Sequence, residues 1–196
     1  MTADAPVGIV GLGLMGFALS VRLIDAKIPL VGFDIDPVRC GMFKATGGMV
    51  ATSVRELAAC SRTIIVAVYS GEQVEALFGE IDDGAGAARP VVICITTCGP
   101  GEIIGIAERA SRAGLPLLEA PISGTSAEVL DGTATAASCI YRPRAATSFN
   151  PSSNEIAPPR CSAVYSPKLN PASTATSASS IIPRDRAASY AATLVT

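Results

Sequence analysis

Gly11, Gly13 and Gly16 stand in G-x-G-x-x-G spacing within the run Gly8-Ile-Val-Gly-Leu-Gly-Leu-Met-Gly16. An apolar stretch (Val7 to Leu12) precedes the motif and a helical pattern (Met15 to Ala26) follows it. A strand that turns into a helix at this spacing can cradle an anion. The first glycine allows the tight turn, the second lets backbone approach a pyrophosphate, and the third lets the helix pack close to the strand. The new helix adds free N–H groups and a partial positive charge. Gly11, Leu12, Gly13, Leu14, Met15 and Gly16 are therefore the candidate phosphate cradle. A second apolar run, Leu30 to Phe33, ends at Asp34, near the spacing at which an acidic residue meets a ribose 2′-hydroxyl. The expected cofactor is NAD. NADP is disfavoured because its 2′-phosphate would face the Asp34 carboxylate, although Arg39 could offset that charge. The alternative role for Asp34 is to cap the following helix.

These residues need a scaffold, and residues 1–135 supply the pattern of one. Short apolar runs rich in β-branched residues recur at Val7–Leu12, Leu30–Asp34, Thr63–Tyr69, Val91–Thr96 and Leu117–Ala120, as buried parallel strands do. Helical patterns fill the gaps at Met15–Ala26, Pro37–Ala45, Val54–Cys60, Gln73–Phe78 and Gly101–Ala113. Asp36 before Pro37, and Ser53 three residues before Glu56, read as N-caps, and Gly114 reads as a helix stop. A further short strand fits at 47–51. Alternation of this kind predicts an α/β fold, a Rossmann-type doubly wound parallel sheet. Tyr69, Ser70 and Thr97 then fall at the C-terminal ends of strands, where open α/β sheets bind ligands, and are candidate cofactor contacts.

Composition narrows the function further. The net charge of −2 and the lack of a basic stripe argue against nucleic acid as a partner. No apolar run approaches the ~18 residues of a membrane span. The first residues lack the regions of a signal peptide, so a cytoplasmic protein is expected. With no histidine in the chain, Ser-His-Asp and Cys-His chemistry are excluded, as is any His-ligated metal. The six cysteines never form C-x-x-C, and Cys60 and Cys94 lie in or beside apolar stretches, so buried free thiols rather than disulfides or metal ligands are expected.

Beyond residue 135 the character of the chain changes. All 18 glycines lie at or before Gly132. Residues 1–135 carry 9 basic and 15 acidic side chains, whereas residues 136–196 carry 6 and 2. Ser, Ala, Thr and Pro dominate the second part, and no window keeps an apolar period. Such a segment cannot bury enough surface to offset its conformational entropy, so 136–196 is expected to be a disordered tail.

The motifs together resemble the β-hydroxyacid dehydrogenases, the group that includes the 3-hydroxyisobutyrate and 6-phosphogluconate dehydrogenases. Gly8 to Gly16 resembles the family's opening. Val91-Val-Ile-Cys-Ile-Thr-Thr-Cys-Gly-Pro100 is similar to a strand ending in D-x-S-T-x-x-P, with Cys94 in place of the aspartate. Glu119-Ala-Pro-Ile-Ser-Gly-Thr125 is similar to the substrate-binding D-A-P-V-S-G-G block, with Glu119 for aspartate and Thr125 for the second glycine. The resemblance covers about two thirds of the chain. It implies hydride transfer between a nicotinamide and a small 3-hydroxy acid, whose carboxylate would meet Ser123 and Gly124. It also implies a helical domain that supplies a catalytic lysine and completes a homo-oligomer. Nothing here matches that lysine's segment: the lysines are Lys27, Lys44 and Lys168, none in a glycine-rich motif. No catalytic residue is therefore assigned, and the family's homo-oligomer is not expected. A glycine-free, Arg/Pro/Ser/Ala-rich stretch that begins inside a motif is what out-of-frame translation of a GC-rich gene would produce, from about Ala136. The competing reading is a non-catalytic dinucleotide-binding module. A short-chain dehydrogenase would need Y-x-x-x-K, whereas Tyr165 and Lys168 are three apart and flanked by prolines.

Overall fold

The structure is a computed structural model and describes residues 5–86 and 89–141. The expectations for 142–196, and with them Tyr165 and Lys168, lie outside the described residues. The strands are β1 (Val7–Val10), β2 (Leu30–Phe33), β3 (Met49–Val50), β4 (Thr63–Val66), β5 (Val91–Cys94), β6 (Leu117–Glu119), β7 (Ile122–Ser123), β8 (Thr135–Ala136) and β9 (Cys139–Tyr141). The helices are α1 (Leu14–Asp25), α2 (Pro37–Ala45), α3 (Val54–Cys60), α4 (Gly71–Ala85), α5 (Pro100–Arg112) and α6 (Ser126–Asp131).

Seven strands form one sheet in the order β3-β2-β1-β4-β5-β6-β9. The pairings from β3 through to β6 are all parallel, and β9 runs antiparallel to β6. The apolar runs are continuous because both faces of the sheet are covered. Ile64 and Val66 of β4 enter the core under α3, α4 and α5, while Ile65 between them enters the core under α1, α2 and α6. Chain order reverses on either side of β1, so the β1/β4 boundary is the topological switch point, where a crevice opens beyond the strand ends.

Three expectations need correction. The helix expected over Gln73–Phe78 runs over Gly71–Ala85, passing through Gly79 and Gly84. Gly84 is a close-packing position, since a Cβ there would sit 2.3 Å from the Arg55 carbonyl oxygen of α3. The second correction concerns the domain boundary at 135. Strand pairing continues past it: β8 pairs with β7, and Leu118 of β6 aligns with Ile140 of β9. Ala136 thus pairs within the two-stranded β7–β8 sheet and Cys139–Tyr141 within the large sheet, rather than lying in a disordered tail. The third correction concerns the cysteines: Cys139 is disulfide-bonded, while Cys40, Cys60, Cys94 and Cys98 are free thiols, of which Cys94 alone is buried.

Short α6 is fixed by side chains at both ends. Thr125 Oγ1 accepts from the Glu128 N–H (3.2 Å), and Glu128 Oε2 accepts from the Thr125 N–H (2.7 Å), a reciprocal capping box. At the other end Arg22 of α1 donates to the Leu130 carbonyl oxygen (3.0 Å). The Thr125 backbone N–H, and after it the Thr125 hydroxyl, hold the Glu128 carboxyl below its usual range. A carboxylate with a depressed folded pKa contributes stability above its unfolded pKa and loses it as pH falls through the folded value. Glu128→Ala should therefore melt below the parent at neutral pH, and the gap should close on acidification; a gap that persisted in acid would show that the carboxylate is not the cap. Thermal denaturation across pH measures it.

Candidate functional site

Beyond the C-terminal ends of β1 and β4 lies a cleft of about 710 Å³. Gly11, Gly13, Leu14, Met15, Asp34, Tyr69, Thr97 and Gly124 line it, as do Arg39, Gln73, Leu77, Ile95 and Ile122. Eight of the candidate residues thus meet at one opening, drawn there from the ends of β1, β2, β4, β5 and β7 and from the first turn of α1.

The three motif glycines play unequal parts. Gly11 has φ +92°, and an added Cβ would lie 2.5 Å from the Ala67 carbonyl oxygen. At Gly16 a Cβ would lie 1.9 Å from the Gly11 carbonyl oxygen. The fold itself requires both. Gly13 has φ −68°, open to any residue, and the nearest neighbour to an added Cβ is Arg39 Nη1 at 3.5 Å. Nothing in the packing demands glycine at 13. What a side chain there would occupy is the cleft in front of the α1 N-terminus, the space a pyrophosphate needs.

Asp34 sits at the end of β2 with its side chain 5% exposed. Its Oδ2 accepts from the Leu12 N–H (2.7 Å) and its Oδ1 from the Asp36 N–H (2.9 Å). Asp34 is not the cap of α2; that role belongs to Asp36, whose Oδ1 accepts from the Val38 N–H at 2.9 Å. The carboxylate ties the glycine loop to the end of β2.

The remaining candidates divide. Leu12 is buried beneath the loop, and its backbone N–H rather than its side chain faces Asp34. Ser70 caps α4 by accepting from the Gln73 N–H (3.3 Å), and Ser123 lies exposed on β7; neither lines the cleft. In the Ser123-Gly124-Thr125 turn, the Thr125 N–H is already taken by Glu128. Thr96, buried beside Thr97, donates to the Val68 carbonyl oxygen (2.8 Å) and ties the loop after β5 to the loop after β4.

Sequence reasoning missed Ile35 and Gln73. Ile35 is 89% exposed directly after Asp34, an apolar residue in solvent at a strand end, which is the signal that could have marked it. Gln73 Oε1 accepts from the Tyr69 N–H (2.9 Å), a contact one helical turn away that has no sequence signature. Burial pushes the Cys94 thiol up to about 12 and raises the Cys98 thiol as well. Both stay protonated at neutral pH and offer no nucleophile. Among the described residues no three Cys, Asp or Glu side chains converge as a metal site.

Comparison with known proteins agrees with this fold. A family model for the NAD binding domain of 6-phosphogluconate dehydrogenase matches residues 6–141. An L-threonate dehydrogenase of Cupriavidus necator is 30% identical over 131 residues, 66% of this chain and 44% of that protein. The mitochondrial 3-hydroxyisobutyrate dehydrogenase of Mus musculus is 29% identical over 144 residues, 69% of this chain and 41% of that one. Among solved structures, the Mycobacterium tuberculosis 3-hydroxyisobutyrate dehydrogenase with L-serine superposes with a TM-score of 0.63 at 25% identity, covering 66% of this chain and 44% of its own. The chain thus spans less than half the length of these relatives.

Proposed function

The chain belongs to the family of NAD binding domains of 6-phosphogluconate dehydrogenase, and from that premise we propose that it is the dinucleotide-binding part of a hydroxyacid dehydrogenase, acting on a small 3-hydroxy acid. The observation that carries the reading is Gly13, a glycine with room for a side chain inside the protein and a cleft directly in front of it. Gly11, Gly13, Leu14 and Met15 would face the pyrophosphate, with Gly16 and Leu12 shaping the loop from behind. Asp34 would stand at the adenosine ribose, and Tyr69 and Thr97 along the cofactor's length. Bound nicotinamide supplies the hydride acceptor or donor, and the protein supplies orientation. Ser123 and Gly124 would meet the substrate carboxylate, by the family's pattern.

No lysine or histidine lines the cleft among the described residues. That observation favours a second reading, in which the chain holds dinucleotide without catalysis. Both readings share one test. NADH titrated into the purified protein should show saturable enhancement of nicotinamide fluorescence, and a protein that gave none would remove the dinucleotide assignment altogether. Added 3-hydroxy acid then separates the two, since only an enzyme reduces NAD.

A further inference from the structure

We propose that Cys94 and Cys98 form a two-sulfur site that captures trivalent arsenic, taken up as neutral arsenous acid. The site stands apart from the dinucleotide reading of the cleft and does not depend on it.

Cys94 ends β5, at the position where the pattern it resembles carries aspartate, and the proposed function makes no use of it. Its thiol is buried, whereas Cys98, in the loop before α5, is only partly covered and open to solvent. The loop folds back so that both thiols converge on one acceptor. Cys94 Sγ donates to the Thr96 carbonyl oxygen at 3.8 Å, and Cys98 Sγ donates to the same oxygen at 3.6 Å. Each thiol is also a hydrogen-bonding neighbour of the other. Cys40 and Cys60, by contrast, sit at separate carbonyl oxygens, those of Asp34 and Leu57, and Cys139 is disulfide-bonded.

The surroundings select the ligand. Burial first, and then neighbours that include Glu119, push the Cys94 thiol up to about 12; burial, Glu102 and Glu119 raise that of Cys98. Neither carboxylate is spare, since Glu102 Oε2 accepts from the Gly99 N–H (2.6 Å) and Glu119 Oε2 from the Tyr141 hydroxyl (3.0 Å). Two protonated thiols with no third ligand suit zinc badly, because it takes four ligands and needs thiolates. Arsenous acid asks for less. It is neutral and thiophilic, and two sulfurs with one of its own hydroxyls complete its three bonds. The Cys98 thiol condenses first: an As–S bond forms, an As–O bond breaks, and the thiol proton leaves with the hydroxide as water. The tethered arsenic then condenses with Cys94 in the same way and releases a second water. Arsenic stays trivalent and no electrons change hands. The adduct is neutral, so no new charge is buried beside the two carboxylates.

The test is mass spectrometry of the full chain, its disulfide left intact, after incubation with arsenite. The parent should gain one As–OH unit in place of two hydrogens. Cys98→Ser and Cys94→Ala should each lose this adduct, with arsenite affinity down by about a hundredfold or more, because the second thiol acts at the effective concentration of a short tether. Cys40→Ser and Cys60→Ser should keep it. Circular dichroism checks that the variants fold, and Cys98→Ser, at a partly exposed position, carries the test if Cys94→Ala does not fold. Affinity should stay level from about pH 6 to 8, since thiols and not thiolates are consumed. Capture of a divalent cation would instead release two protons and tighten steeply as pH rises. A parent that takes up no arsenic overturns the inference. So does an adduct that survives Cys98→Ser, one that is lost in Cys40→Ser or Cys60→Ser, or an affinity that climbs with pH.

Discussion

Gly13→Val should melt at the temperature of the parent and bind no measurable dinucleotide. The first half follows from φ −68° and from a nearest contact of 3.5 Å to a flexible guanidinium, which leave a valine unstrained. The second half follows from where that side chain points. It would stand between the pyrophosphate and the N–H groups at the start of α1, a turn with no side-chain cap to satisfy them. Losing two charge-assisted hydrogen bonds at about 1.5–3 kcal/mol each costs about 3–6 kcal/mol, or roughly two to four decades in affinity. Gly16→Ala is the control that separates packing from binding. Its new methyl would meet the Gly11 carbonyl oxygen at 1.9 Å, so the loop cannot close and the variant should lose its cooperative melt. Circular dichroism should then separate the two proteins, Gly13→Val folded and Gly16→Ala not, while neither enhances NADH fluorescence. If Gly13→Val bound as the parent does, the cleft would not be a phosphate site.

The contrast between the two glycines also marks what was legible in the sequence. Gly11, Gly13 and Gly16 were readable as a set because their spacing is local. Their separate roles were not, because those depend on Ala67 and Arg39, residues brought in by folding. The strands of the large sheet from β1 to β6 could be read from runs such as Thr63-Ile-Ile-Val66, where burial on both faces leaves no polar interruption. β7, β8 and β9 could not be read, being two or three residues long and held by partners far along the chain. Tyr141 shows the difficulty: it lies on β9 opposite Leu117, and its hydroxyl donates to Glu119 Oε2 at 3.0 Å. Burial and that neighbouring carboxylate push its phenol up to about 12. In sequence it is an isolated aromatic in a Ser/Ala-rich stretch. The same limit hid the length of α4, since glycine is a poor helix former and only the approach of α3 explains Gly84.

Purified as the 196-residue chain, the protein should hold dinucleotide yet oxidise no 3-hydroxyisobutyrate, glycerate or 6-phosphogluconate. Removing a hydride from an alcohol carbon requires that the hydroxyl proton leave as well, so a group able to accept it must stand at hydrogen-bond distance. Among the described residues the cleft has no lysine or histidine, and its tyrosine, Tyr69, stands at the exposed rim. Asp34 is engaged by two backbone N–H groups at the end of β2. The Cys94 thiol is buried and pushed up to about 12, and its contact at 3.8 Å is the Thr96 carbonyl oxygen. Arg39 presents only hydrogen-bond donors. Lys44 lies in the last turn of α2, Lys27 follows α1, and neither lines the cleft. A missing general base alone costs about two to four decades in rate. Orientation is also lost, because Leu14 and Tyr69 stand 81% and 94% exposed at the rim and no described segment covers the substrate from that side. The measurement is the growth of reduced-nicotinamide absorbance with NAD and each acid in excess, on homogeneous protein already shown to bind NADH. Binding without turnover is the expected result. Robust turnover would mean that Tyr69 or a group from outside the described residues accepts the proton, and would make the chain an enzyme in its own right.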